Sequence, residues 1–529
     1  MSSLFPSPAG FGLRSSTKAA PGHTLLALSA LSLAALIPPV CAGAQPGYGL
    51  LAANVDTQEN HFYLYYLEGA NQNPPYNLIQ YDPLSSNNTP KTLTTKTPNF
   101  YPGSKITGVG LGPLVSYDAP TMTTPASSPY RLVAYVNPED NMNEVFYLTN
   151  PPATSASCLN PNGCRDIEQI RSDAGYFADI TQQAGAVPAA INTSLAGYVD
   201  SCAGTNNVFY VGNDQHVHLL TSSAKSGWLF SDVDLTEKTN AGIITVSGGA
   251  LAGHIFAPNT PAQSENVYYL GSNGLVNEMS LLTSGGQGCG PVSWPGFEWA
   301  GFPLEGQNAA IGSPLADFYD AAANSDSVFY VGTDNNLWEF YRYQHLVSLP
   351  TLHAEWTQVN INITKGTTGT MPSGMFFTDP ATSSGACPST ATLPCWSSLA
   401  AHVNTTTQPQ YIEEVFFMVP GPPQSGEVHV FELTAPSTRL APPVWTLQGA
   451  IGQYESSYPF ITTPLVPVAI PILPGDSSPS HIPAVWDNVY FIYNATLSEL
   501  TSTSGTSGAG SWTLETNFDG FGEIIPYGQ

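Results

Sequence analysis

LAGY (195–198), NVFYVG (207–212), HVHLL (216–220) and WLFSDVDLT (228–236) make up the stretch whose reading decides the fold. Each run has the β-branched and aromatic content of a strand. The residues between them, Asn213 and Asp214 among them, tolerate the backbone angles that turns demand. Four short strands form one small antiparallel sheet. A strand such as NVFYV, apolar at consecutive positions, needs cover on both faces, which a single copy cannot supply. The unit therefore has to recur.

It recurs downstream with the same strand order. The fourth copy has LAGH (251–254), NVYYLG (266–271), a Ser272-Asn273-Gly274 turn, LVNEM (275–279) and a last strand around Trp299. The fifth reads PLADF (314–318), SVFYVG (327–332), LWEF (337–340) and WTQVNINIT (356–364). The sixth gives SLAAH (398–402), EVFFMV (414–419), HVFEL (429–433) and VWTL (444–447), and the seventh PLVPV (464–468), NVYFIY (488–493), LSEL (497–500) and SWTLETNF (511–518). Upstream the copies are less regular. The first shows LAA (51–53), HFYLYYLEG (61–69) and YNLIQY (76–81). The second shows PLV (113–115), RLVAYV (131–136), EVFYL (144–148) and YFADIT (176–181), with a loop from Cys158 to Cys164 inserted before its last strand. Seven copies of a four-strand unit with irregular loops predict an all-β chain, a β-propeller of four-stranded antiparallel blades. Seven blades are expected, with six and an irregular edge as the alternative because the first two copies are degenerate.

Charge narrows the partners. Thirteen Lys and Arg against 39 Asp and Glu give a formal net charge of -26, which repels phosphate backbones and anionic lipid, so nucleic acid is excluded. Residues 1–44 read as a signal peptide: Arg14 and Lys18 lead an apolar run (24–37) too short to span a bilayer, and Ala42-Gly43-Ala44 offers a cleavage site before Gln45. The remaining 45–529 is then a single propeller domain, exported to the outside, the periplasm or the cell surface, with no membrane insertion. Export removes Cys41 and leaves Cys158, Cys164, Cys202, Cys289, Cys387 and Cys395. The expected disulfides are Cys158 with Cys164 and Cys387 with Cys395, leaving Cys202 for Cys289; none of these pairs has the two-residue spacing of a zinc knuckle. Sequons stand at Asn87, Asn192, Asn362, Asn404 and Asn494.

The recurring wording, a Leu-Ala strand, Val-Tyr-Tyr or Val-Phe-Tyr, a Gly/Asp turn, a hydrophobic-x-Glu strand and a Trp strand, resembles the fungal and bacterial fucose-specific lectins, most closely over 195–356. The resemblance implies a propeller, six-bladed in that family. It also implies sugars held between neighbouring blades by an Arg just before the Val-Tyr-Tyr strand, the Glu of the next strand, and aromatic walls. In this chain the Glu column is filled by Glu278, Glu339, Glu432 and Glu499, but by Leu219 in the third unit, Tyr147 in the second and Gln80 in the first. The Arg column holds Asn207, Asn266, Ser327, Glu414 and Asn488, and Arg131 is displaced by one position, so the bidentate fork is missing from its family position.

A sugar presents an apolar CH face to an aromatic ring and a rim of hydroxyls to planar donors and acceptors. The expected ligand is accordingly a glycan or glycoconjugate, bound without turnover. Its candidate residues are the Glu column and the Trp column of Trp228, Trp299, Trp356, Trp445 and Trp512, for which packing between blades is the competing role. A protein-interaction or adhesion scaffold is the second reading. A propeller glycosidase or lyase is the third, and no convergent carboxylate pair nominates a catalytic residue. His216 and His218 lie on one side of a strand and, with no acidic third ligand fixed beside them in the sequence, read as packing histidines. No metal and no cofactor is expected.

Overall fold

A computed structural model describes residues 51–56, 61–68, 77–82, 91–93, 132–137, 142–148, 164–171, 176–190, 193–200, 203–223, 226, 229–239, 250–256, 263–282, 299–310, 312–334, 336–343, 356–361, 399–404, 411–420, 427–437, 443–455, 465–470, 486–493, 496–502 and 512–516. Among them the architecture is all-β: four-stranded antiparallel sheets whose strands follow one another in chain order, broken in one sheet by the short strand Cys164–Arg165, which pairs with Ala189–Ala190 in a two-stranded sheet; the arrangement is consistent with a β-propeller.

Sheet 1 comprises Leu51–Asp56, His61–Glu68, Asn77–Tyr81 and Lys91–Thr92. Sheet 2 comprises Leu132–Asn137, Met142–Leu148, Ile167–Arg171 and Tyr176–Asp179. Sheet 3, formed by the stretch quoted first, comprises Ala196–Asp200, Thr205–Val211, Val217–Ser223 and Ser231–Asp234. Sheet 4 has Leu251–Phe256, Ser264–Leu270, Val276–Leu282 and Ala300–Pro303, and sheet 5 has Leu315–Asp320, Ser325–Val331, Leu337–Tyr343 and Thr357–Asn360. Sheet 6 has Leu399–Asn404, Ile412–Pro420, Glu427–Pro436 and Thr446–Glu455. Sheet 7 has Val466–Ile470, Trp486–Tyr493, Thr496–Ser502 and Trp512–Thr516. First strands lie against one another in chain order from sheet 1 to sheet 7, and the first strand of sheet 7 lies against that of sheet 1.

The second strands show why the sequence reads as it does. Ser264–Leu270 and Ser325–Val331 are buried at every position, because each face meets a neighbouring sheet. At each junction from sheet 2 to sheet 7 a ring at the start of one sheet's fourth strand packs edge-on against a ring in the second strand of the sheet before. The pairs are Phe230 on Phe146, Trp299 on Phe209, Trp356 on Tyr268, Trp445 on Phe329 and Trp512 on Phe416, with centroids 5.5 to 6.0 Å apart and planes at 72° to 87°. T-shaped pairs of this kind set the positive ring edge against the negative face and contribute about 0.5–1.5 kcal/mol each beyond their burial.

Sheet 2 corrects the sequence reading by one strand. Residues 132–137 are its first strand and not its second, EVFYL lies in its second, and its third is Ile167–Arg171, a largely polar segment with no reference-unit wording. The PLV at 113–115, residues 1–44 with the expected cleavage site, and Cys158, Cys202, Cys289, Cys387 and Cys395 with the expected disulfides lie outside the described residues. Asn404, one of the sequons, is buried and hydrogen-bonds through Nδ2 to Glu414 Oε1 at 3.3 Å, so the folded chain does not present it to a glycosyl carrier.

Candidate functional site at the sheet junctions

Register places the Glu column. Glu278, Glu339, Glu432 and Glu499 pair across the ladder with Tyr268, Phe329, Phe416 and Tyr490, the same aromatic position of each second strand. All four are buried, so each carboxylate requires a donor, and three find theirs in the Trp column of the next sheet. The indole Nε1 of Trp356 donates to Glu278 Oε2 at 2.9 Å, that of Trp445 to Glu339 Oε2 at 2.7 Å, and that of Trp512 to Glu432 Oε2 at 3.0 Å. Glu499, in the last sheet, accepts from the hydroxyl of Tyr490 at 2.9 Å, and its charge, after burial, helps push the Tyr81 hydroxyl of sheet 1 up to about 12.

The two columns that the sequence singled out are thus brought together, but they hold each other. At Glu339 burial dominates: it raises the carboxyl to about 7 against the donations from Trp445 and the Ser327 hydroxyl, the latter at 2.9 Å. Trp445 is itself fully buried, whereas Trp356 and Trp512 are half-buried. Trp299 packs on Phe209 in sheet 3, where Leu219 stands in place of the acid. Trp228 lies outside the described residues, and the ring that fills its place in the column is Phe230. The Glu-column position of sheet 2 is Gln169, opposite Phe146, and not Tyr147.

One junction differs from the rest. Between sheets 4 and 5, Arg342 from the third strand of sheet 5 reaches Glu278 Oε1 with Nη1 at 2.9 Å and Asp326 Oδ2 with Nη2 at 2.6 Å, and its guanidinium carbon sits 4.3 Å from the Trp356 ring centre. His254 bridges Asp317 and Asp326 through its two ring nitrogens at 2.7 and 2.6 Å, and the Tyr268 hydroxyl donates to Asp326 at 3.1 Å. Burial pulls the His254 pKa down, but Asp326 and Asp317 outweigh it and lift it to about 10. For Asp326 burial pulls the other way and is overcome by His254 and Arg342, which hold it below the usual carboxylate range. An Arg fork beside the column Glu and an indole, missing at the position before Val-Tyr-Tyr, is therefore supplied from the neighbouring sheet. Sequence reasoning missed it because Arg342 and Glu278 belong to different copies of the repeat. The signal available was that Arg342 is the lone cation in an otherwise apolar and acidic third strand.

No family model matches the chain, and no curated protein matches it. Among solved structures it is similar to AofleA from Arthrobotrys oligospora, with a TM-score of 0.40 and 13% identity over 78% of this chain and 94% of that one. It is also similar to the SapL1 lectin in complex with alpha methyl fucoside, with a TM-score of 0.37 and 14% identity over 74% and 96% of the two chains. A further likeness is to exo-beta-1,3-galactanase from Phanerochaete chrysosporium, with a TM-score of 0.25 and 10% identity over 72% and 85%. Similarity at this level assigns neither a ligand nor an activity.

A second polar group lies at the hairpin between the second and third strands of sheet 3. There the structure corrects the reading of His216 and His218 as histidines with no acid beside them. His216 Nδ1 is 2.6 Å from Asp234 Oδ2. His218 is clasped between Asp232, 3.1 Å from Nδ1, and Asp214, 3.2 Å from Nε2. His218 is buried and stacks on Tyr210, while His216 and Asp234 are half-buried and Asp214 is exposed. Although burial lowers the His218 pKa, the two carboxylates outweigh it and raise it to about 9, so its ring is an imidazolium at neutral pH.

Proposed function

We propose that the chain is an exported, seven-bladed β-propeller that binds a carbohydrate without turning it over, with its sugar contact at the junction of sheets 4 and 5. The observation that carries this reading is the convergence of Glu278, Arg342 and Trp356. A planar acceptor, a planar five-donor fork and a half-buried indole lie within one side chain's reach of one another, the fork over the indole ring. Those are the groups that a sugar's hydroxyl rim and CH face require. Glu339 and Glu432 meet an indole from the next sheet, and at those two junctions the pair acts as a lock between sheets. The cyclic contact of the first strands supports the seven-bladed ring.

A glycan array probed with the mature chain tests the proposal together with two substitutions. Trp356→Phe keeps the edge-on packing against Tyr268 but removes the indole donor and shortens the stacking face. It is expected to weaken a bound glycan about tenfold or more, a loss of about 1.4 kcal/mol. Trp445→Phe, at a junction without the Arg fork, is expected to leave the glycan affinity unchanged. An array without hits, or equal loss in both variants, overturns the reading. N-terminal sequencing of the exported product is expected to begin at Gln45, and a product that begins at Met1 removes the export element.

A further inference from the structure

We propose that the hairpin end of sheet 3 is a divalent metal site, with His216 Nδ1 and one carboxylate oxygen each from Asp214 and Asp234 as ligands. These three groups offer atoms that all lie within 4.8 Å of one another. Nδ1 stands 2.6 Å from Asp234 Oδ2 and 3.9 Å from Asp214 Oδ2. Ligand atoms about 2.0–2.2 Å from a tetrahedral ion sit about 3.3 Å apart, between those two values, so small side-chain rotations admit the ion among them. Asp214 is exposed and its partners half-buried, leaving a coordination position open toward solvent.

The surrounding residues are built to hold the ligands. Asp214 accepts from the His216 backbone NH at 3.1 Å and from His218, and Asp232 fixes His218 from the other side, so a ligand carboxylate is oriented by a buried imidazole that is itself oriented. Asp234 uses its other oxygen, Oδ1, to cap the helix Leu235–Lys238 at Glu237 N, 2.8 Å away, which leaves Oδ2 directed at His216. Gly212 is needed for the approach, since a Cβ there would lie 2.5 Å from Asp214 Oδ1 and 2.8 Å from the His218 ring.

The equivalent hairpins show that the turn itself does not ask for these ligands. Sheet 5 has the same glycine and the same acid, Gly332 and Asp334, but carries Asn336, Trp338 and Asn360 where sheet 3 carries His216, His218 and Asp234. Sheet 4 carries Leu275, Asn277 and Pro303. Of these three hairpins, only that of sheet 3 carries the donor set. One imidazole nitrogen with two carboxylate oxygens favours a first-row transition ion, of which zinc is the borderline-soft example, over magnesium or calcium.

Isothermal titration of the full chain, its thiols blocked and stripped with chelator, against zinc sulfate tests the proposal, with calcium chloride as the hard-ion comparison. One zinc per chain is expected, with little heat from calcium. His216→Ala and Asp234→Asn are each expected to weaken zinc binding about tenfold or more. The asparagine keeps the helix cap, so the folded state is retained in at least one variant, as a melt in chelator verifies. Absence of zinc uptake, or uptake that neither substitution alters, overturns the site, and the second result means an adventitious ion only.

Discussion

Glu278 and Glu339 occupy the same place in consecutive sheets and answer to different chemistry. Glu339 has neutral donors, and its carboxyl sits at about 7 against an ordinary 4.5. The folded chain therefore holds that proton where the unfolded chain releases it, and the stability it contributes is full below pH 4.5 and lost as the pH rises through about 7. Glu339→Gln is expected to flatten this part of the profile and to be relatively more stable than the parent above pH 7; urea midpoints at pH 4.5 and 7.5 measure it. His254 has its own window. Its pKa of about 10 lies above the ordinary 6.5, so its contribution is present below pH 6.5 and lost as the pH rises toward 10. His254→Gln is expected to remove that alkaline loss, and also to lower stability at pH 6 by about 3–5 kcal/mol, because Asp317 and Asp326 are left with one buried cation fewer. The Glu and Trp columns were legible in the sequence as columns, but their partnership was not. Glu339 and Trp445 are 106 residues apart, and Glu278 and Trp356 are 78 apart. A repeat read one copy at a time shows what recurs within a sheet and hides what crosses to the next.

Individual sheets depend on a few side chains placed just before their first strand. Thr193 Oγ1 accepts from the NH of Val211 at 2.7 Å, and Ser313 Oγ accepts from the NH of Val331 at 2.8 Å, closing the ends of the second strands of sheets 3 and 5 in the same way. Ser313→Ala is expected to cost about 1–3 kcal/mol by leaving a buried NH without its acceptor, read as a lower denaturant midpoint at unchanged slope. Sheet edges were readable where the wording repeats, from NVFYVG through NVYFIY. In sheet 2 the reading slipped by one strand because the apolar runs at 131–136 and 144–148 look like a second and third strand. The true third strand, IEQIR, carries two charges and a glutamine and lies beyond the inserted loop. Gln169 on that strand is tolerated because it is paired: it donates to Glu144 at 2.7 Å, and Asn206 of sheet 3 donates to the same oxygen at 3.0 Å. Polar residues in a strand suggest a wet face, but here Glu168 and Gln169 are buried between sheets.

As a whole, the proposed ring leaves its outermost members dependent on each other, since the first strand of sheet 7 lies against that of sheet 1. Removing residues 464–529 is expected to uncover the facing sides of sheets 6 and 1. The result would be a chain that binds a hydrophobic dye and loses amide-exchange protection in sheets 1 and 6 before sheets 3 and 4. The ring was legible at the level of seven recurring units. The residues by which sheet 7 meets sheet 1 were not, because sheet 1 carries no Trp within its described residues to match the Glu499 position. The indole donors also run in one direction: Trp356, Trp445 and Trp512 each reach back to a glutamate made earlier. On a ribosome that asymmetry becomes a schedule. Sheets 4, 5 and 6 each leave the exit tunnel with a column carboxylate still hydrated, and it is sealed only when the final strand of the next sheet emerges. Glu499 has no successor. Its donor, the Tyr490 hydroxyl, comes from its own sheet and leaves the tunnel nine residues ahead of it, so this acceptor is met without a later strand.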